Sequence, residues 1–166
     1  MPYDARSVAN FLLNYADERS VSVTLMGLLK VLYFAHGWYL AQHGNPLIKN
    51  DFEAWQHGPV LRVVYDAFKG IGSSPIRGRV HRIDPVTRKE SVADETFSEE
   101  DANFLRGVFD EYGHVQALTL SDMTHEPGSP WHAVWHAPRE HLNLGMKISN
   151  DAIRRHFMSV AEKLRQ

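Results

Sequence analysis

Apolar residues run almost unbroken from Val23 to His43 in VTLMGLLKVLYFAHGWYLAQH, and the run closes on Gly44. Within it Leu25, Leu29, Leu32, His36 and Tyr39 recur four and three apart and line one helix face, while Met26, Lys30, Tyr33, Gly37 and Leu40 line a second. A helix that is apolar on more than one face has to be covered on more than one side, which predicts a buried central helix with the rest of the chain wrapped around it. A membrane span needs about twenty residues free of ionisable groups. Lys30, His36 and His43 interrupt this run, so a globular core is expected and a membrane partner is not.

The flanking segments carry single apolar stripes. Asp4 can cap a first helix to about Arg19 whose inner face is Val8, Phe11, Leu12, Tyr15 and Ala16. After Gly44 the segment HGNPLIKN reads as a turn and then an extended run into DFEAWQHGPV, where Gly58 can supply a special backbone angle. Pro59 at a first helical position predicts a helix to about Lys69, striped by Val60, Val63, Val64, Ala67 and Phe68 and stopped by Gly70 and Gly72. Phe97 and Ser98 form a staple-and-cap start, with Glu99, Glu100 and Asp101 in the first turn, for a helix to Gly113 that buries Phe104, Leu105, Val108, Phe109 and Tyr112. A short helix between His114 and His125, a helical turn at WHAVWHAP and a last helix from about Ser149 to Leu164 complete the set. The last helix should bury Ile153, Phe157, Val160, Ala161 and Leu164.

Between Gly72 and Asp94 the pattern changes to breakers, short alternation around Ile76 to Ile83 and turn chemistry at Asp84-Pro85. The expected fold is therefore mainly α, a compact helical domain around a buried central helix, with a small β-hairpin or irregular arm at 73–94. One domain should span residues 1–166. The arm holds Arg77, Arg79, Arg82, Arg88 and Lys89, although the chain as a whole has a net charge of −2. Those charges either solvate an edge and discourage strand aggregation or dock an acidic partner.

Composition narrows the chemistry. Hydrophobic residues at 43% and charged residues at 23% are those of a folded protein. The opening MPYDARSVANF lacks an export pattern, so a cytoplasmic location is expected. The absence of cysteine removes disulfides, thiolate catalysis and cysteine-containing zinc motifs. A slightly acidic chain, with no second helix bearing a base-reading row, is not expected to bind nucleic acid. Of ten histidines, His114, His125, His132, His136 and His141 cluster between residues 114 and 141, in the C-terminal third. His132 and His136 are four apart, but the glutamate of the zinc-protease motif is missing between them, and neither a metal nor a cofactor is expected. Ser121, Ser129 and Thr124 sit near His125 without a nucleophile elbow, and no glycine-rich phosphate loop is present. A hydrolase would have to use His57 and His125 with a carboxylate such as Glu53.

Read in order, LLKVLYFAHGWYLAQHGNPLIKNDFEAWQHGPVLRVVYDAFK (28–69), a helix at about 98–113 and LSDMTHEPGSPW (120–131) resemble the Panacea domain family of SocA-like, phage-associated antitoxins. Val31 stands where the family usually has leucine, a tolerated change of volume. The resemblance implies a small, mostly helical, non-enzymatic antitoxin that neutralises a cognate toxin by direct protein contact, by covering it or by delivering it to a protease, with a protease or chaperone as further partner. A phage-derived regulatory domain is the other non-enzymatic reading. The residues that carry the resemblance are Lys30, Tyr33, His36, Glu53, Trp55, His57, Gly58, Pro59, Tyr65, Ser121, Thr124, His125 and Trp131. Their mix is that of a hydrogen-bonded aromatic core or pocket, since Tyr and Trp bury large apolar areas and each keep one polar group to satisfy. The shared signature is then expected to build the scaffold while the basic arm selects the partner.

Overall fold

The computed structural model describes residues 2–138, 140 and 144–166. Asp4 caps α1 (Ala5–Glu18) by accepting the Arg6 N–H at 2.9 Å, and Thr24 caps α2 (Leu25–His43) by accepting the Gly27 N–H at 3.2 Å. Gly44, at φ 75°, ends α2 in the left-handed conformation that glycine adopts without strain. Every residue from Gly27 to Gly37 is buried, so α2 is covered all round, as its two-faced pattern predicts.

β1 (Phe52–Trp55) and β2 (Gly58–Val60) form an antiparallel hairpin in which Trp55 pairs with Gly58, Ala54 with Pro59 and Glu53 with Val60. This corrects the reading of Pro59 as a helix start: α3 is shorter, Arg62–Phe68, and begins after the buried Leu61. Proline tolerates both positions, because β2 is an edge strand and the missing N–H costs no ladder bond there. Val60 accordingly packs from the hairpin, and Ala67 is exposed. A single 3₁₀ turn, Lys69–Ile71, follows α3.

The arm is a hairpin of β3 (His81–Ile83) and β4 (Glu90–Val92), all six residues of which are exposed. Its turn is built by Asp84, whose carboxylate accepts the N–H groups of Val86 and Thr87, each at 2.8 Å. Its base is clamped by the buried Asn10 of α1, which donates to the carbonyls of Val80 and Ala93 and accepts from the Val80 N–H, at 2.8–2.9 Å.

α4 (Glu99–Tyr112) starts on the predicted Ser98 cap, which accepts the Asp101 N–H at 3.1 Å. α5 (Ala117–Thr124) and α6 (Pro130–Trp135) follow, then β5 (Lys147–Ile148), which pairs with the free side of β1 to give the sheet order β2-β1-β5. α7 (Asn150–Leu164) buries Ile153 and Phe157 against α2. Leu164 is 75% exposed, because the last turn of α7 runs past the core; periodicity there outlasts the surface it could cover. The structure is thus mainly α with small antiparallel sheets. Among the described residues no helix is long and apolar enough to cross a membrane.

α2 and α7 approach so closely that a Cβ at Gly37 would lie 2.2 Å from the Phe157 ring. Tyr33, Phe34 and Trp38 also contact that ring, leaving it little room to turn away. Gly37→Ala should therefore destabilise the fold by about 1–3 kcal/mol through overpacking, although alanine is the better helix former. Leu32→Ala, at a fully buried position, should cost about 2–5 kcal/mol. Denaturant unfolding of each variant against the parent gives both values, and an unchanged midpoint for Leu32→Ala would show that α2 is not the core.

Candidate functional site

Three successive alternate carbonyls of the β1–β2 hairpin, those of Trp55, His57 and Pro59, are each taken by a side chain from a different helix. The Trp131 Nε1–H of α6 donates to the Trp55 carbonyl at 2.6 Å, the Ser121 hydroxyl of α5 to the His57 carbonyl at 2.6 Å, and the Lys30 Nζ of α2 to the Pro59 carbonyl at 3.0 Å. Thr124 donates to the Ser121 carbonyl at 2.6 Å. Ser129 donates to the Thr124 carbonyl at 2.9 Å while capping α6. Gly58 sits at φ 115°, and a Cβ there would meet Lys30 Cε at 2.6 Å and Thr124 Oγ1 at 2.7 Å. Only glycine permits both the angle and the approach.

The outer side of the hairpin is braced by charge and aromatic contact. Glu53 accepts two hydrogen bonds from Arg62, at 2.9 and 3.2 Å, and one from the Trp55 indole at 3.3 Å. The Arg62 guanidinium lies 5.1 Å from the Trp55 ring centroid, and Tyr65 meets that ring edge-on at 4.7 Å. On the inner side His125 packs on Trp131 with centroids 4.0 Å apart, and its buried Nε2 has no hydrogen-bond partner among the described residues. Burial lowers the His125 pKa below its ordinary value, and the positive charge of Lys30 lowers it further.

A cavity of about 350 Å³ opens between α2, the hairpin and the end of α3, with Lys30, Trp55, His57 and Tyr65 in its lining. Lys30 is 1% exposed, and removal from water pulls its pKa down from 10.5 to about 7.

Eleven of the signature residues therefore meet around one hairpin: Lys30, Glu53, Trp55, His57, Gly58, Pro59, Tyr65, Ser121, Thr124, His125 and Trp131. Tyr33 and His36 do not. Tyr33 is buried among Phe34, Phe52 and Phe157, and burial raises its hydroxyl pKa. His36 accepts the Ile48 N–H at Nδ1 (3.3 Å), so Nε2 carries the proton and donates to Asn150 at 2.8 Å; burial keeps this ring neutral. Phe52, which touches both, connects them to the back of β1. Arg62 and Asn150 complete these networks without any signal in local spacing, since their partners Glu53 and His36 lie across a hairpin and on another helix.

Of the basic arm residues, Arg77, Arg82, Arg88 and Lys89 are exposed. Arg79 is not equivalent to them: it donates to Asn14 at 2.8 Å and to Asp17, both on α1, and so fastens the arm. Among the described residues no group of three or more His, Asp or Glu side chains is placed to hold a metal. The His132 and His136 rings lie 4.4 Å apart, tilted by 44°, and His141 lies outside the described residues.

Residues 28–132, from the first turn of α2 to just past Trp131, match the family model described as Antitoxin SocA-like, Panacea domain. The chain belongs to that family. A relative, Antitoxin SocA of Caulobacter vibrioides (strain NA1000 / CB15N), is 33% identical over 154 residues, covering 93% of this chain and 82% of its own. No solved structure shows significant similarity. The family match contains each of the three residues that donate to the hairpin carbonyls, Lys30, Ser121 and Trp131, and it leaves out α1 and α7.

Lys30 makes the stability of the domain depend on pH. Its folded pKa of about 7 lies below its unfolded value, so between about pH 7 and 10.5 the unfolded chain binds the additional proton and stability rises with pH. Below pH 7 both states are protonated and the cost of the buried charge is constant. Relative to Lys30→Met, the parent should gain on the order of a few kcal/mol across that window. At pH 6 the variant should be at least as stable as the parent, since apolar replacement of a buried charge is often neutral or better. Denaturant unfolding of both proteins at pH 6, 8 and 10 measures the difference.

Proposed function

We propose that this chain is the antitoxin of a toxin–antitoxin pair, acting as a single domain in the cytoplasm and neutralising a cognate toxin by direct protein contact. The observation that carries this reading is the likeness to a curated antitoxin along 93% of the chain. The geometry supports a binding protein more than a hydrolase. The Ser121, Thr124 and Ser129 hydroxyls all donate to backbone carbonyls, not to a histidine, and Glu53 is held by Arg62 and Trp55.

The partner-selecting surface in this reading is the β3–β4 arm. Arg77, Arg82, Arg88 and Lys89 are exposed there beside Ile83, Val86 and Val92, which are 62%, 88% and 48% exposed. Each strand of this two-stranded sheet has one unpaired edge. Cations interspersed with apolar side chains on an open edge suit an acidic partner that adds a strand. Arg79 stays out of this surface because it fastens the arm to α1.

The test begins with the product of the adjacent gene, expressed with and without this chain and recovered by pull-down. Growth arrest by the neighbour alone, relief by this chain and a stable complex are expected. Arg82→Glu with Arg88→Glu should weaken the complex by roughly tenfold or more without changing circular dichroism or melting temperature. Full rescue by this variant would move the contact off the arm. A toxin level that falls only in protease-proficient cells would identify delivery for degradation; a constant level would identify blocking.

A further inference from the structure

The cavity beside the hairpin has a composition that the scaffold role does not require. Leu25, Leu29 and Val60 give it apolar walls, Trp55 and Tyr65 an aromatic side, and Lys30 a buried amine. Among the described residues none of its lining side chains is acidic, whereas Lys30, His57 and Lys69 are all basic. The Lys69 ammonium has its own carboxylate, Asp66, at 3.6 Å, but among the described residues Lys30 has only the Pro59 carbonyl. An ammonium offers three donors, so two remain for a ligand. A volume of about 350 Å³ lies at the small end of ligand sites, enough for one amino-acid residue or a compact organic acid.

We propose that this cavity binds a carboxylate carried on an apolar body, with the Lys30 ammonium as counter-charge and the walls of α2 and the hairpin around the apolar part. A buried cation lacking an anion is an unfavourable arrangement that a bound carboxylate relieves: it supplies the missing charge and accepts the two unused N–H donors. The position of the amine is set before any ligand arrives. The Gly58 backbone passes so close to the Lys30 side chain that a Cβ would lie 2.6 Å from its Cε, and the Pro59 carbonyl holds its tip. The depressed pKa of Lys30 fits an amine that has no anion beside it in the free protein. The same chemistry has two sources, a free small acid and the last residue of a polypeptide, and the inference holds whether or not the chain is an antitoxin.

The test uses the full chain and two pairs of probes: 3-phenylpropionate against 3-phenylpropionamide, and acetyl-Gly-Gly-Leu as free acid against its C-terminal amide. Binding is followed by calorimetry and by the Trp55 indole resonance, which reports the cavity in the parent protein without a variant. At least one acid should bind, move the Trp55 signal and outcompete its amide by tenfold or more. Binding of the tripeptide acid assigns the site to a chain terminus, and binding of phenylpropionate alone assigns it to a small molecule. Lys30→Met, with its fold checked by circular dichroism, should remove the preference for acid over amide. Acids that do not bind, that bind no better than their amides, or that leave the Trp55 signal unmoved would overturn the proposal, as would an undiminished acid preference in folded Lys30→Met.

Discussion

Trp55, His57 and Pro59 present carbonyls to three different helices, and the capture of those carbonyls by Trp131, Ser121 and Lys30 ties the ends of the family signature together. A hairpin whose two strands are four and three residues long cannot stand alone. It is stabilised here because these three backbone acceptors each have a donor, and an unsatisfied buried one would cost about 1–3 kcal/mol. The constraint also runs the other way. α5 and α6 are eight and six residues long, too short to persist by helix propensity, so their positions follow from the hairpin they bond to. Gly58 is the hinge of this arrangement, because any side chain there would push the hairpin away from Lys30 and Thr124 together.

The arm is attached by different means. Asn10 satisfies the backbone at its base and Arg79 fixes it to α1, yet the strands themselves bury nothing. A segment held at its root and open along its length can change sequence at little cost to the core, the property that a scaffold serving different partners needs. Its exposed charges also protect an otherwise bare edge from pairing with other copies.

What was legible in the sequence follows from the range of each interaction. α1, α2, α4 and α7 are long and periodic, so periodicity located them, and the local cap chemistry of Asp4 and Ser98 marked the starts of α1 and α4. Pro59 was ambiguous because its fixed φ suits both a first helical position and an edge strand, and the pairing with Ala54 that decides between them is not written in the neighbouring residues. Leu164 and Ala67 continued a stripe past the surface available to cover it. The signature residues were recognisable as a set, but their meeting around the hairpin depends on contacts between residues 29 to 76 positions apart. The one local hint was Lys30, an amine on an otherwise apolar helix face. Arg79 shows the opposite limit: by composition it belongs with the arm's other cations, and only its contact with Asn14 and Asp17 separates it.

Charge in this protein is thus divided into two environments with different physics. On the arm Arg82, Arg88 and Lys89 are in water, where about 0.1 M salt screens interactions beyond roughly 10 Å, so the pull they exert on any approaching charge weakens as salt rises. Lys30 is 1% exposed, so the ion atmosphere in the surrounding water screens it far less. Its charge state is set instead by the balance between the desolvation that favours the neutral amine and whatever anion approaches through the cavity. The same α2 side chain that fixes the hairpin by bonding to Pro59 therefore makes the interior respond to a ligand's charge, and scaffold and response cannot be varied separately at that position. The arm, which takes part in neither, is free to be varied.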